Sequence, residues 1–123
     1  MRYLPLIFVG LSLSIFTSHL RAQTQYEMDA TSGAALDKAD AKLNAVYQKV
    51  LSQRSNEKQF CTNLREAQRA WLIFVDLDLK TVFPLEEGQD PRVVYGSIYP
   101  VDYATTKAGL INERIKQLED LIQ

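Results

Sequence analysis

Three stretches of the sequence place apolar residues at the spacing of an α-helix, which gives each stretch one apolar stripe. Such stripes are stable when they are buried against one another. The pattern therefore predicts an all-α fold, a small bundle of three main helices without a sheet. The stripes comprise Leu36, Leu43, Tyr47, Val50 and Leu51 in the first helix, Phe60, Leu64, Ala67, Trp71, Phe74, Val75 and Val82 in the second, and Leu110, Ile111, Ile115, Leu118 and Ile122 in the third.

Helix boundaries follow from capping patterns in the sequence. Thr24 and Glu27 have the spacing of a capping box, so a helix can begin there, and the first main helix should end near residue 53. The pair Ser32-Gly33 can split this helix in two. We predict that the second helix begins at the cap-like segment 56–59 and that the third spans about residues 101–121.

The second predicted helix contains six consecutive apolar residues, bracketed by Arg69 on one side and by Asp76 and Asp78 on the other. Leu72 and Ile73 lie opposite its main stripe, so the helix is apolar nearly all round at its centre. A helix of that kind is usually surrounded by others. We therefore predict that it lies in the middle of the bundle.

The connection between the second and third helices, residues 83–100, contains three prolines and two glycines. Structureless connections longer than about 12 to 15 residues are uncommon in compact domains, and those that occur are usually functional or mobile. We therefore predict one long loop of this kind before the last helix. Residues 93–98 could extend briefly as a strand, but the sequence offers no second strand to pair with it.

The first 22 residues have the pattern of a secretory signal peptide, with a basic start at Arg2, an apolar run too short to span a bilayer and a polar end at Ala22. We expect cleavage near Ala22, a single domain over residues 23–123, a periplasmic or secreted location and no membrane insertion afterwards. Of the 14 basic residues, Arg2 and Arg21 leave with this segment. The remaining 12 face 15 acidic residues, which gives a net charge of −3.

Each predicted helix also carries polar groups on its apolar face, where they are costly unless they are hydrogen-bonded. Our first interpretation is a structural network in which arginines pair with carboxylates across helices and select one packing. The alternative is a carboxylate pair acting as general acid and base, as in glycoside hydrolysis, but a domain of this size has little room for the cleft. We therefore predict no catalytic residues. The network residues are Asp40, Asn44, Arg69, Asp76, Asp78 and Arg114.

The composition argues against several other kinds of site. The only histidine, His19, lies in the predicted signal peptide, so there is no ligand set for structural zinc. Cys61 is the only cysteine, which is typical of a small buried residue; the alternative is an intermolecular disulfide or a reactive thiol. No glycine-rich loop precedes a helix, and the acidic balance disfavours nucleic acid. We expect no cofactor, no metal and no nucleic-acid partner.

Four segments form a combination that can be compared with known families. They are KADAKLNAVYQKVL at 38–51, LREAQRAWLIFVD at 64–76, YGSIYP at 95–100 and LINERIKQL at 110–118. In this order they resemble the LprI-like family of small exported bacterial proteins, whose namesake is a lysozyme inhibitor. The resemblance implies an all-helical exported domain and, for at least some members, inhibition of lysozyme. It carries the family's signature positions onto Asp40, Asn44, Tyr47, Gln68, Arg69, Trp71, Asp76 and Arg114.

The sequence departs from this family pattern at its cysteines. Members commonly carry cysteines at places that correspond here to Thr31, Leu79 and Thr106, and an arginine where Val75 stands. The disulfides that the resemblance would imply are therefore absent. What it implies for this chain is the fold, and not a surface stiffened by disulfides.

Two functional hypotheses remain. The leading one is an exported, non-enzymatic protein-binding domain of the lysozyme-inhibitor type, whose acidic charge would favour encounter with a cationic enzyme. The alternative is an envelope structural or adaptor domain that binds another protein and does not inhibit lysozyme.

If the helices bury their apolar faces in one another, a partner must contact the long loop. Arg92, Tyr95, Ser97 and Tyr99 are our predicted partner-binding residues, because cationic and hydroxyl donors suit the carboxylates of a lysozyme cleft. The alternative is a lid over the bundle, in which Val93, Val94 and Ile98 are tucked inward.

Overall fold

The computed structural model describes residues 12–122, with side chains from residue 19 onward. Helix α1 spans Ser12–Gln53, α2 spans Lys58–Val82, the short α3 spans Pro91–Tyr95 and α4 spans Tyr99–Glu119. No residue in the described range lies in a strand, so the predicted all-α bundle of three main helices is confirmed. The strand considered for residues 93–98 is wrong, because α3 forms there.

Helix α1 is continuous, so the possible split at Ser32-Gly33 does not occur. The Ser32 hydroxyl donates to the carbonyl of Asp29 at 3.1 Å and is satisfied inside the helix without ending it. A single glycine costs a helix only about 1 kcal/mol relative to alanine, which a long helix tolerates. Thr24, expected as a cap, also lies within α1 and donates to the carbonyl of Leu20.

The first part of α1 overlaps the predicted signal peptide. Residues 12–22 continue the helix, while residues 1–11 of that segment lie outside the described residues. Within the described range, no helix combines the length and the apolar character needed to cross a membrane. Cleavage near Ala22 stays a prediction from the sequence.

Helices α1 and α4 run in the same direction, and α2 runs against both. The tight turn at residues 54–57 returns the chain alongside α1. At the far end of α2, the Phe83 ring lies 5.4 Å from the ring of Tyr99, the first residue of α4. Leu118, near the end of α4, packs in one cluster with Val50, near the end of α1. The long loop therefore lies at the end of the bundle opposite the α1–α2 turn.

The core lies mainly between α1 and α4. Val50 and Leu118 are 0% exposed and Ile111 is 1% exposed, so the stripes predicted for the first and third helices are confirmed. No polar or charged side chain is buried among the described residues. The core is therefore held by apolar burial. Its buried cluster is Ala39, Leu43, Val50, Leu64, Ile111, Ile115 and Leu118.

Helix α2 lies at the side of the bundle, so its predicted place in the middle is wrong. Its outer face remains in solvent, with Ile73 62% exposed, Leu77 57% and Phe74 52%. The physical reason is that three helices need to give only one face each to a common core. The buried residues on the inner face of α2 are Cys61, Leu64, Val75 and Leu79.

One arginine fixes the turn between α1 and α2. The Arg54 guanidinium donates to both carboxylate oxygens of Glu57, at 2.9 and 2.7 Å, and its central carbon lies 3.5 Å from the centre of the Phe60 ring. The hydrogen bond from Arg54 lowers the pKa of the Glu57 carboxyl. Cys61 is buried against this turn, with its sulfur 3.2 Å from the Arg54 carbonyl oxygen, so its predicted buried position is confirmed.

Candidate partner-binding surface on the long loop

Four aromatic rings, from Phe83, Tyr95, Tyr99 and Tyr103, support the long loop from below. Phe83 meets Tyr95 and Tyr99 edge-on, with ring centres 5.6 and 5.4 Å apart. Tyr99 stacks on Tyr95 at 5.7 Å and also contacts Tyr103 at 5.7 Å. Edge-on and offset contacts of this kind are the favoured arrangements of aromatic pairs. We call these four rings the aromatic cluster, and it joins the end of α2 to the loop and to the start of α4.

Two polar contacts hold the loop in one conformation. The Tyr95 hydroxyl donates to the carbonyl of Pro84 at 2.6 Å and closes the loop on itself. The Arg92 guanidinium pairs with the carboxylate of Asp29 on α1 at 3.2 Å. The loop is therefore anchored both internally and to the bundle, without a disulfide.

The short helix α3 decides which loop side chains face solvent. Asp90 caps it by accepting from the Arg92 amide at 2.8 Å, and Pro91 occupies its first turn. Gly96 ends it with a φ of 83°, a backbone conformation that L side chains rarely adopt. With Tyr95 turned toward the aromatic cluster, the two consecutive valines point outward.

The outward side of the loop is apolar. Val93 is 83% exposed, Val94 45%, Leu85 40% and Ile98 38%. The alternative in which the two valines and Ile98 are tucked inward is therefore wrong. One signal in the sequence pointed to this exposure, the pair Asp90-Pro91, which is typical of a helix start. A helix that begins there would have indicated which way the side chains of Val93 and Val94 point. We call Leu85, Arg92, Val93, Val94, Ser97 and Ile98 the loop surface.

The four predicted partner-binding residues occupy two kinds of position. Arg92 and Ser97 are exposed on the loop surface, where a partner can reach them. Tyr95 and Tyr99 are half-buried in the aromatic cluster and hold the loop in place. Burial raises the pKa of the Tyr99 hydroxyl, and the nearby Tyr103 and Tyr95 add to the effect. Arg92 and Ser97 are therefore accessible from solvent, whereas the two tyrosines belong to the packing under the loop.

Two depressions flank the loop. One, of about 430 Å³, lies between α2, the loop and α4, and three rings of the aromatic cluster line it, those of Phe83, Tyr99 and Tyr103. Its rim carries an ion pair in which Lys80 lies 2.6 Å from Asp76. The second, of about 550 Å³, places Ser97 beside residues 21–28 of α1. Both are open grooves, of the kind that a protruding segment of another protein can fill.

The predicted interhelical network of charges does not form. Arg69 and Asp40 are exposed, and Asp76 bonds to Lys80 on its own helix, not to an arginine. Asp78 is only half-buried. The physical reason is that long charged side chains at the edge of a helical face can stay hydrated, which costs less than burial even in a pair.

One residue of the predicted network, Arg114, does link two helices, but its partner is an amide and not a carboxylate. Arg114 donates to the amide oxygen of Gln68 at 3.0 Å and so links α4 to α2, and burial lowers the pKa of its guanidinium.

Gln68 also lines a groove of about 250 Å³. Several signature positions of the family therefore meet at the surface between helices and not in the core. The groove is lined by Asp40, Leu43, Asn44, Tyr47, Gln68 and Leu72.

The described residues offer no group of three or more His, Cys, Asp or Glu side chains that could hold a metal ion. Nor do the exposed Asp40 and Asp76 share a cleft; the first lines the α1–α2 groove and the second lies at the loop end.

The fold and this surface define a small all-α domain with an ordered, exposed loop. The chain belongs to the LprI family, because the family model described as "Lysozyme inhibitor LprI" matches residues 18–118. The resemblance drawn from the four sequence segments is confirmed. No curated protein and no solved structure gave a match to the chain.

Proposed function

We propose that this protein is an exported, non-enzymatic protein-binding domain that inhibits lysozyme through the loop surface. The observation that carries the proposal is the ordered loop, which presents Val93 at 83% exposure beside the exposed Arg92. A rigid apolar tip next to a cationic donor is suited to entering a cleft, because little flexibility is lost on binding. The family description supplies the class of partner.

The chemistry of the loop suits a lysozyme cleft. Such a cleft contains a catalytic acid and a second carboxylate, which a guanidinium can pair with through charge-assisted hydrogen bonds. Arg92 now pairs with Asp29 at 3.2 Å, and both side chains reach solvent. An exposed ion pair of this kind is worth at most about 1 kcal/mol, so Arg92 can exchange it for a partner's carboxylate at small cost.

Encounter with the enzyme is supported by net charge. The chain after residue 22 has a net charge of −3, and Glu86 and Glu87 lie in the loop itself. An acidic surface speeds association with a cationic enzyme and makes the rate depend on salt. The signal-peptide pattern would deliver the protein to the periplasm or the exterior, where lysozyme acts.

The test replaces Arg92 and Ser97 by Ala together and measures inhibition of muramidase activity alongside thermal stability. We expect inhibition to fall while the melting temperature stays close to that of the unmodified protein. The matched control is Arg65→Ala with Ser52→Ala, an exposed arginine and an exposed serine near the opposite end of the bundle, which should leave inhibition unchanged. Full inhibition by the folded Arg92/Ser97 variant would remove the loop as the site. An absence of inhibition by the unmodified protein would favour the adaptor alternative.

A further inference from the structure

The outer face of α2 carries an apolar surface that the other helices leave open. Ile73 is 62% exposed, Leu77 is 57% exposed, and Ala70 is also exposed. These side chains are three or four residues apart, so they lie next to one another on one side of the helix. Contiguous apolar surface of this kind on a folded domain marks a contact site.

Charged residues frame this apolar centre in a definite order. At about 100° per residue, Glu66 and Lys80 lie within about 20° of Ile73 around the helix, about 10 Å before and after it along the axis. Arg69 and Asp76 lie on one common edge, about 40° and 60° to the same side of Ile73. All four charged residues are exposed. We call the whole set the α2 stripe: Glu66, Arg69, Ala70, Ile73, Asp76, Leu77 and Lys80.

We propose that a second copy of this chain covers the α2 stripe, with the two α2 helices antiparallel about a two-fold axis at Ile73. Such an axis places each residue opposite a residue of the second copy. That residue lies about as far from Ile73 along the helix, but on the other side of Ile73, and it lies on the same edge. Glu66 then faces Lys80 of the second copy, and Arg69 faces Asp76. At the centre Ile73 meets its own copy, and Ala70 meets Leu77 on the other edge. Every charge in the stripe is opposed by a charge of the other sign.

The parallel orientation lacks this match. In a parallel pair, residues near the middle of the stripe lie opposite their own copies, which sets Glu66 against Glu66 and Lys80 against Lys80. Like charges placed opposite one another across an interface oppose association. The order of charges along α2 therefore selects a copy of the same surface, and selects its direction.

The association is expected to be weak. The apolar centre is three side chains per copy, with Phe74 at its margin at 52% exposure. Stable dimers bury about 1,200 to 2,000 Å² in total, which is more than we expect a single helix face of this length to bury. We expect a dissociation constant in the micromolar range or weaker.

Sedimentation equilibrium of the purified protein over roughly 10 μM to 1 mM tests the association. We expect a monomer–dimer equilibrium, and Ile73→Lys should raise its dissociation constant by at least about tenfold, because it sets two ammonium groups face to face. The matched control is Val93→Lys, the same change at a side chain that is 83% exposed on the loop surface, which should leave the constant unchanged.

A charge reversal tests the pairing across the axis. Arg69→Asp should weaken the dimer, because it opposes two carboxylates at each of the two equivalent contacts, and Asp76→Arg in the same chain should restore it by reversing both partners. A merely structural role for Arg69 within one chain would not predict this rescue. Failure of the double variant to recover any association would contradict the proposed register.

Cysteine cross-linking tests the orientation, in a Cys61→Ser background so that the only thiol is the introduced one. With diamide as the oxidant, Ile73→Cys should form an intermolecular disulfide, since each thiol meets its own copy at the axis and gives up one electron and one proton. Lys80→Cys should not, because its copy lies about 21 Å away along the axis, far beyond disulfide reach. A mixture of Glu66→Cys and Lys80→Cys chains should cross-link.

Three results would overturn the proposal. The first is a protein that stays monomeric across the whole concentration range. The second is self-cross-linking of Lys80→Cys, which would mean a parallel pair. The third is loss of lysozyme inhibition in Ile73→Lys with no dimer of the unmodified protein, which would assign the α2 stripe to the enzyme. The Arg92 and Ser97 variants report on the loop surface separately, so either proposal can fail alone.

Discussion

The core between α1 and α4 and the aromatic cluster under the loop are both ordered, but different interactions hold them. The core buries apolar side chains completely, with Leu118 at 0% exposure and no buried polar group among the described residues. The aromatic cluster is half-buried, and its order depends on ring edges and on the Tyr95 hydroxyl bonded to Pro84. A region held in the second way can be well ordered and still present apolar side chains to a partner.

The largest effect should follow a change in the core. Leu118→Ala removes a fully buried side chain and should lower the free energy of unfolding by about 2 to 5 kcal/mol. Urea denaturation measures this, with Val93→Ala as the exposed control, for which a change within about 0.5 kcal/mol is expected. A small loss for Leu118→Ala would mean that the α1–α4 contact is not the stabilising core.

A change in the aromatic cluster should cost less and act locally. Phe83 contacts three tyrosine rings but is only half-buried, so Phe83→Ala should cost about 2 kcal/mol, below the value for a fully buried phenylalanine. Hydrogen exchange should speed up for amides of the loop and α3 while the middle of α4 keeps its protection. Equally faster hydrogen exchange in the loop and in the middle of α4 would mean that the aromatic cluster and the core are not separate regions of stability.

Alkaline pH should loosen the cluster before the core. Burial raises the pKa of the Tyr99 hydroxyl above its ordinary value of about 10, so the folded state favours the neutral phenol. The resulting stabilisation is present below the unfolded pKa and is lost as the pH rises through the folded pKa. Near-ultraviolet circular dichroism of the tyrosines should therefore weaken above about pH 10, and Tyr99→Phe should reduce that dependence. An identical alkaline profile in the variant would contradict the assignment.

The smallest effect should come from Arg69. A buried ion-pair network would make Arg69→Ala cost about 3 to 5 kcal/mol, but the exposed position of Arg69 predicts a change within about 0.5 kcal/mol. Thermal melting of dilute protein, below the concentrations at which copies associate, checks this. A large destabilisation there would restore the network that the sequence first suggested.

The sequence predicted the stripes of α1 and α4 well, because a continuous apolar stripe has one way to be buried. It predicted α2 poorly. A helical wheel gives the residues that share a face, such as Leu64 and Val75, but it does not say how many neighbours a helix has. A helix apolar on all sides is consistent with a central position and equally with a lateral position whose outer face, at Ile73, contacts another molecule.

The loop was predicted as a feature, but its conformation was not. Its length and prolines indicated an unusual connection, whereas the pairing of Arg92 with Asp29 joins residues that are 63 positions apart and leaves no local pattern. The same limit applies to the predicted charge network. Whether Asp40 is buried depends on which helix lies opposite it. Asp40 is rotated by about 100° around the helix from Ala39, which is 8% exposed, and this rotation is enough to place Asp40 in solvent.

We propose that this protein inhibits lysozyme, and a muramidase turbidity assay with the purified, unmodified protein measures that inhibition. We expect that clearing of a cell-wall suspension slows in proportion to the protein added and that inhibition weakens at high salt, because encounter is aided by charge. Clearing at the uninhibited rate, with the protein folded and in large molar excess over the enzyme, would mean that the protein does not inhibit lysozyme.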